Sequence, residues 1–296
     1  MSLGMVIVTY ECRDFVLACL DSVEAQLGSV DGSVVVVDNA SGDGTLAAVE
    51  ARYPNARRIA KERNVGFAAA VNAGMRAQPD ADVICLLNPD TILLDNGLLA
   101  AADYLRRHSE VGLAGVRIEN PDGSLQASCR AFPGHMTALF NRHSLTTKLL
   151  PGNRFSRAYL MTDWPHDQVR EVDWVSGACM LIHRRAIDAV GKLDSNYFFS
   201  IEDVDYCRRL KDAGLSTVYF PMARVQHLIG GSSRHAVYRA MLAHHRGMWH
   251  YYRTHMRSNA VVDGLTAAGI TGRLAIHATS YAFRSSYQRL QGKTPT

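Results

Sequence analysis

Four apolar runs of this 296-residue chain end on groups that could do chemistry. "SVVVVD" stops at Asp38, "DVICLLNP" at Asp90, "YFFSI" runs into Glu202, Asp203 and Asp205, and "ARVQH" closes on His227. A carboxylate inside an apolar setting must be solvated, paired or bound to a cation, because an isolated buried charge is too costly. Asp38 could accept hydrogen bonds from a base NH or a ribose hydroxyl, or cap the following helix, a role for which Asp43 and Thr45 are better placed. Asp90 follows a proline that already ends a strand, so it is either a turn residue or a ligand. The cluster at 202–205 opens a helix, where acids also favour the dipole. Tyr197, Phe198 and Phe199 before it would desolvate a carboxylate and raise its pKa, which suits a general base. An Asp, a His and an anionic diphosphate together make a hard-cation site, because Mg²⁺ or Mn²⁺ takes few protein ligands and completes its shell from phosphate and water.

The elements that must position these groups alternate. "GMVIVTY", "SVVVVDNAS" and "DVICLLN" read as strands; residues 13–26, the stretch "LAAVEARY", residues 64–77 and residues 97–108 read as helices. This rhythm predicts an α/β fold with a mostly parallel, doubly wound sheet flanked by helices and a helical, basic C-terminal extension. Ligands of such sheets bind beyond the carboxyl ends of the strands. Those ends carry Thr9-Tyr10-Glu11, Asp38-Asn39 and Asn88-Pro89-Asp90. No GxGxxG or Walker loop follows the first strand, which argues against dinucleotide dehydrogenases and P-loop enzymes. Residues 116–170 read as irregular. Order returns at 172–191, in a short helix at 202–214 and in a strand at 216–221. The expected divisions are 4–115 and 116–235, two halves of one domain, and a helical region over 236–296.

Apolar residues make up 47% of the chain, enough for a large core. Six cysteines show no CxxC pair and read as reduced, buried thiols of a cytosolic protein. No signal peptide opens the chain, and no apolar run reaches the ~18 residues a membrane span needs. The formal net charge is +4, yet from Arg234 onward nine Lys or Arg stand against the single acid Asp263. That end therefore carries +8 and the rest −4. Such an end either faces an anionic partner or is a solvated helical face.

Read together, "IVTYECRDFVLACLDSV", "VVVVDNASGDGT", "NVGFAAAVNAGM", "LLNPD", "VDWVSGACMLIHRRAI", "FFSIEDVDYCRRLKDAG" and "ARVQHLIGGSS" resemble the GT-A fold glycosyltransferases of family 2. Similarity runs over about residues 5–255 and is greatest to the rhamnosyltransferase-like branch that builds bacterial cell-surface polysaccharides. The resemblance implies that Thr9, Tyr10 and Glu11 line the base pocket and Asp38 binds base or ribose. Asn64, Gly66 and Asn72 would shape the nucleoside and sugar side. Asn88-Pro89-Asp90 falls where the family has its Asp-x-Asp metal motif, with Asn88 in place of the first Asp, so that Asp90 and His227 would hold Mg or Mn. Asp203 would be the catalytic base with Glu202 beside it, and Trp174 and Gly177 would lie on the acceptor side. Arg234 is expected to neutralise the leaving diphosphate, and the 129–170 stretch with Arg130, Phe132 and Trp164 to close over the site.

The implied reaction is inverting transfer of a sugar, rhamnose from dTDP-rhamnose, to a hydroxyl of a polysaccharide or polyprenyl-diphosphate-linked precursor. A UDP-sugar donor, a metal-dependent nucleotidyltransferase and a non-enzymatic carbohydrate-binding relative are the alternatives. A nucleotidyltransferase would want a Gly/Lys/Arg-rich loop after strand one, which "TYECRDF" lacks. The basic C-terminal helices are expected either to touch the inner membrane face or to form a homodimer. No nucleic-acid partner is expected.

Overall fold

The computed structural model describes residues 2–29, 33–134, 154–161, 163–228 and 237–290. Its first half runs β1 Leu3–Thr9, α1 Arg13–Leu27, β2 Val34–Asp38, α2 Thr45–Arg52, β3 Arg57–Ala60, α3 Phe67–Arg76, β4 Val83–Leu87, β5 Thr91–Leu93, α4 Gly97–Arg107 and β6 Val111–Glu119. The remainder runs β7 Leu125–Gln126, β8 Cys129–Arg130, α5 Arg154–Leu160, β9 Arg170–Val172, β10 Trp174–Val175, β11 Cys179–His183, α6 Arg184–Val190, α7 Glu202–Asp212, β12 Ser216–His227, α8 Val237–His255 and α9 Ala260–Leu290.

The main sheet is ordered β3-β2-β1-β4-β11-β6-β12-β5. Strands β3, β2, β1 and β4 are parallel, and β6 and β12 continue in the same direction; β11 and β5 run against them. The mostly parallel sheet expected from the alternation is therefore present. Its strands are buried on both faces, which explains why β2 and β4 read as unbroken apolar runs rather than alternating ones. Along β1, Met5 and Ile7 join the core under α1, α2 and α4, whereas Val6 and Val8 join the core under α3, α6 and α7. This period of two divides the interior into two layers. All six cysteines are buried and free.

Three details depart from the sequence reading. β3, "RRIA", was not expected; it lies at the sheet edge, where half-exposed arginines are tolerated and even protective. β12 extends past Pro221 to His227, through a register shift between Phe220 and Arg224, and a bulge is where a sheet accommodates proline. Residues 116–170 are less irregular than they read: β6 continues to Glu119, and β7, β8, α5 and β9 follow.

Helix α3 comes close to the sheet at Gly74, with the small residues Ala68, Ala70 and Ala73 buried beside the larger Val71, Asn72 and Met75. A Cβ on Gly74 would overlap the Val6 Cγ1 methyl and come within 3.2 Å of Val37 Cγ2. Gly74→Ala is expected to cost about 1–3 kcal/mol by overpacking. Urea unfolding should show a lower midpoint with an unchanged slope.

Candidate active site

The carboxyl ends of β1, β2 and β4 meet at one edge, as the parallel order requires. There the Asp38 carboxylate is buried and takes hydrogen bonds from Thr9 Oγ1 (2.9 Å), Ser41 Oγ (2.6 Å) and the Ser41 amide (3.0 Å). Glu11 accepts from the Gly42 amide (2.7 Å). Glu11 and Ala40 both adopt positive φ, so the two strand-end loops are bent and tied to one another. Asp38 thus builds the loop, and it is its neighbour Asn39 that reaches the cleft.

Asn39 clamps the start of α3: its Nδ2 donates to Asn64 Oδ1 (3.0 Å) and its Oδ1 accepts from the Val65 amide (2.9 Å). Asn64 Oδ1 also accepts from the Gly66 amide (3.0 Å). Gly66 has φ of 88°, and a Cβ there would lie 2.8 Å from the Phe198 carbonyl oxygen. That approach lets the Phe67 amide donate to the same oxygen (2.8 Å), which draws the 197–201 loop over the cleft. Ser200 and Ile201 follow with φ of 68° and 76°. For a β-branched residue this is a genuine outlier, and such strain persists only where the surroundings enforce it.

The strained turn delivers the acids at the start of α7. Asp203 Oδ2 accepts from the Gly177 amide (3.0 Å) and Oδ1 from the Val204 amide (2.9 Å). Burial raises its pKa, and these two amides pull it partly back. Glu202 is buried, and its Oε2 has no hydrogen-bond partner among the described residues. Burial first, then the charge of Asp203, push its carboxyl well up. Glu202 is therefore the member of the pair that keeps a proton, and Asp203, supported by two amides, stays the anion that can accept one. Asp205 is different. Burial works to raise its pKa, but His255 Nε2 (2.8 Å) and Arg209 Nε (2.8 Å) win and hold it below the usual carboxylate range. It is a structural charge.

Asp90 and His227 come together through the sheet. β5 pairs with the end of β12 in the register Thr91–His227, which brings Asp90 Oδ1 within 3.4 Å of His227 Nε2. The two side chains are 2% and 13% exposed, so what lies between them is held out of bulk water. Gln126 decides the state of the imidazole. Its NH₂ donates to Asn120 Oδ1 (3.0 Å) and the His227 carbonyl (3.3 Å), so its Oε1, 2.9 Å from His227 Nδ1, must accept. The network assigns the ring proton to Nδ1, and in the neutral ring Nε2 turns a lone pair toward the carboxylate. Two Lewis bases so arranged suit a proton or a cation. No third His, Cys, Asp or Glu joins them among the described residues. The donor set therefore fits a hard divalent ion that keeps most of its shell for phosphate and water.

Thr9, Tyr10, Asn64, Gly66, Asn88, Gly177, Glu202 and Asp203 line one cleft of about 330 Å³. Other expected residues stand elsewhere. Asn72 is buried and bonds both the amide and the carbonyl of Leu193, fixing α3 to the chain before α7. Trp174 donates its indole N–H to the Ala131 carbonyl (2.8 Å) and packs in the core behind the cleft. Arg130 stacks on Trp174, Phe132 lies under Arg208 and Lys211, and Trp164 packs on His166 and Tyr219; none of the three lines the cleft. Arg234 lies outside the described residues. Asn39, Ser176 and Arg239 line the cleft without having been singled out in the sequence. The Arg239 guanidinium sits 4.7 Å over the Phe198 ring.

Comparison with known proteins shows the family and the fold. Residues 2–268 match the model of the family described as glycosyltransferase like family 2. The chain is 34% identical over 227 residues to the N-acetylglucosaminyl-diphospho-decaprenol L-rhamnosyltransferase of Mycobacterium tuberculosis, covering 73% of each chain. Among solved structures it is similar to the mannosyltransferase PcManGT of Pyrobaculum calidifontis in complex with GDP-Man and Mn²⁺, with a TM-score of 0.56 at 14% identity over 98% of this chain and 82% of that one. It is also similar to GalNAc-T7 with UDP, GalNAc and Mn²⁺, with a TM-score of 0.58 at 16% identity over 77% of this chain and 44% of that one. At these identities the two structures establish the fold.

The Glu202 assignment has a thermodynamic consequence. Between the usual glutamate pKa and its raised folded value, the native state holds a proton that the unfolded chain releases. Stability therefore falls as pH rises through that window, by up to about 1.4 kcal/mol per pH unit. Glu202→Gln should remove this decline, which paired denaturant titrations from acid to mildly alkaline pH would reveal.

Proposed function

Because the chain belongs to the glycosyltransferase-like family 2, we propose that it is an inverting enzyme using a nucleoside-diphosphate sugar and a divalent cation. We take the sugar to be rhamnose from dTDP-rhamnose and the acceptor a hydroxyl of a polyprenyl-diphosphate-linked glycan precursor. The observation that carries the reading is the amide-supported Asp203 beside a proton-holding Glu202, in one cleft with the strand-end residues Thr9, Tyr10 and Asn39. The mycobacterial relative, named for rhamnosyl transfer to a decaprenol-linked sugar, supports the choice of donor and acceptor.

In this reading the nucleoside lies against Thr9, Tyr10 and Asn39 at the ends of β1 and β2. The loop at Asn64 and Gly66 gives it backbone-close walls, and Phe198 and Phe199 exclude water. Asp203 takes the proton of the acceptor hydroxyl. That oxygen bonds to the anomeric carbon from the face opposite the diphosphate, the carbon–oxygen bond to the diphosphate breaks, and the centre inverts. Glu202, protonated, adds no second negative charge where the nucleophile gains its own. Arg239 faces the negative charge that grows on the leaving group. Asp90 and His227 would hold the cation, which when bound screens the diphosphate.

Calorimetric titration with dTDP, UDP and GDP tests the reading. Binding of dTDP is expected to need Mn²⁺ and to disappear in Asp90→Ala. Gln126→Leu, which removes the acceptor for His227 Nδ1 together with the two bonds that the Gln126 NH₂ donates, should weaken Mn²⁺ binding about tenfold or more, read by electron paramagnetic resonance of the free ion. Binding of no nucleotide under any condition would overturn the proposal.

Asp203→Asn should lower kcat by roughly 10²–10⁴-fold while leaving the dTDP affinity near that of the wild type. Equal losses in both would make Asp203 a binding residue and refute the base assignment.

A further inference from the structure

Helix α8 has three sides. Ala243, Gly247 and Tyr251 are buried against the catalytic body, where His244 Nδ1 meets Ser200 Oγ (3.0 Å) and His250 Nε2 meets Asp194 (2.7 Å). Tyr238 and His245 touch Tyr281 and His277 of α9 at their rings, and Tyr252 bonds Asp263 of the same helix. The outward side carries Arg239, Arg246 and Arg253 at seven-residue intervals, all exposed, together with Leu242, 39% exposed, and an edge of Tyr238, 53% exposed. At 100° per residue these positions share an arc of about 100°.

This side is charged without compensation. None of the three arginines forms an ion pair or a side-chain hydrogen bond among the described residues, and α8 contains no acid. Asp263, the only acid after Asp212, is engaged by Tyr252 and Arg257. Helix α9 carries Val261, Leu265, Ile276 and Phe283, all exposed and recurring on one face, away from the side on which Asp263, His277 and Tyr281 meet α8. Arg239 starts the row at the cleft, beside the half-exposed Phe199, and each following arginine stands about 10 Å further along the helix.

We propose that the outward side of α8 is the docking surface for a bilayer containing anionic phospholipid, which seats the mouth of the cleft against the membrane that carries the acceptor. The proposal rests on the lipid-linked acceptor of the preceding reading. Charge complementarity selects the occupant: unpaired guanidinium groups beside apolar and aromatic side chains match phosphate headgroups over acyl chains. A second copy of the chain does not match. A two-fold interface would set this acid-free row of arginines against itself.

Vesicle flotation tests it, with the full chain and vesicles of phosphatidylcholine with and without phosphatidylglycerol. The wild type should float with the anionic vesicles only, and added salt should release it. Arg246→Gln/Arg253→Gln, two exposed changes away from the cleft, should lower the partition coefficient roughly thirtyfold and leave dTDP binding unchanged. Equal flotation of wild type and variant, or none of the wild type, would overturn the proposal, as would a dimer in light scattering that the double variant dissociates. The dTDP titration reports separately on the transferase reading: its failure leaves the flotation result intact, and the reverse also holds.

Discussion

Two carboxylates adjacent in sequence, Glu202 buried and Asp203 half-buried, stand together at the start of α7, and much of the cleft is arranged to make that possible. Side by side they repel, and burial adds to the cost of charging either one. The chain meets this by unequal support. Asp203 receives two backbone amides, Glu202 receives none from a neighbouring element, and one proton settles on the glutamate. The asymmetry requires Gly177 at one exact place, and β10 and β11 put it there by tying 174–183 to β8 and β4.

The second requirement is the turn that presents the pair. Consecutive positive φ values at Ser200 and Ile201 cost on the order of 1–3 kcal/mol each. What offsets them is long-range: Phe198 held by α3 across the bare Cα of Gly66, Asp205 locked by Arg209 and His255, and Gly247 of α8 so near the Ser200 carbonyl that an added Cβ would stand 3.2 Å from its oxygen. Glycine at 66 is thus a demand of the acids at 202 and 203, more than a hundred positions away.

How much of this was legible follows from the range of the interactions. The strands, the flanking helices and the edge of the sheet where polar ends gather were legible, because burial on both faces forces apolar runs and parallel order forces a common end. The pairing of Glu202 with Asp203 was legible for the same reason, since aromatic residues precede them. What Asp38 and Asn72 bond within the fold was not. A buried polar side chain serves a ligand or its own backbone equally well on paper, and only Ser41, three residues after Asp38, hinted that the carboxylate would be consumed locally. Gln126 and Arg239 carried no local signal, since one reaches His227 of β12 through the pairing of β7 with β6 and the other acts through the packing of α8 on the 194–205 loop.

The charge division of the chain takes on meaning in this geometry. The acids are spent inside the body: on the cleft pair, on the Asp90–His227 site, and on ion pairs such as Asp205–Arg209 and Asp95–Arg224. The arginines of α8 have no ion-pair partner among the described residues, and they begin where the cleft ends. A row of free cations near an anionic donor raises its local concentration and invites it to bind in the wrong place as well. The outward arginines are tolerable if something else anionic covers them while the enzyme works, and a charged bilayer does so without competing for the cleft. Under the docking proposed above, that row is what turns the site toward the membrane.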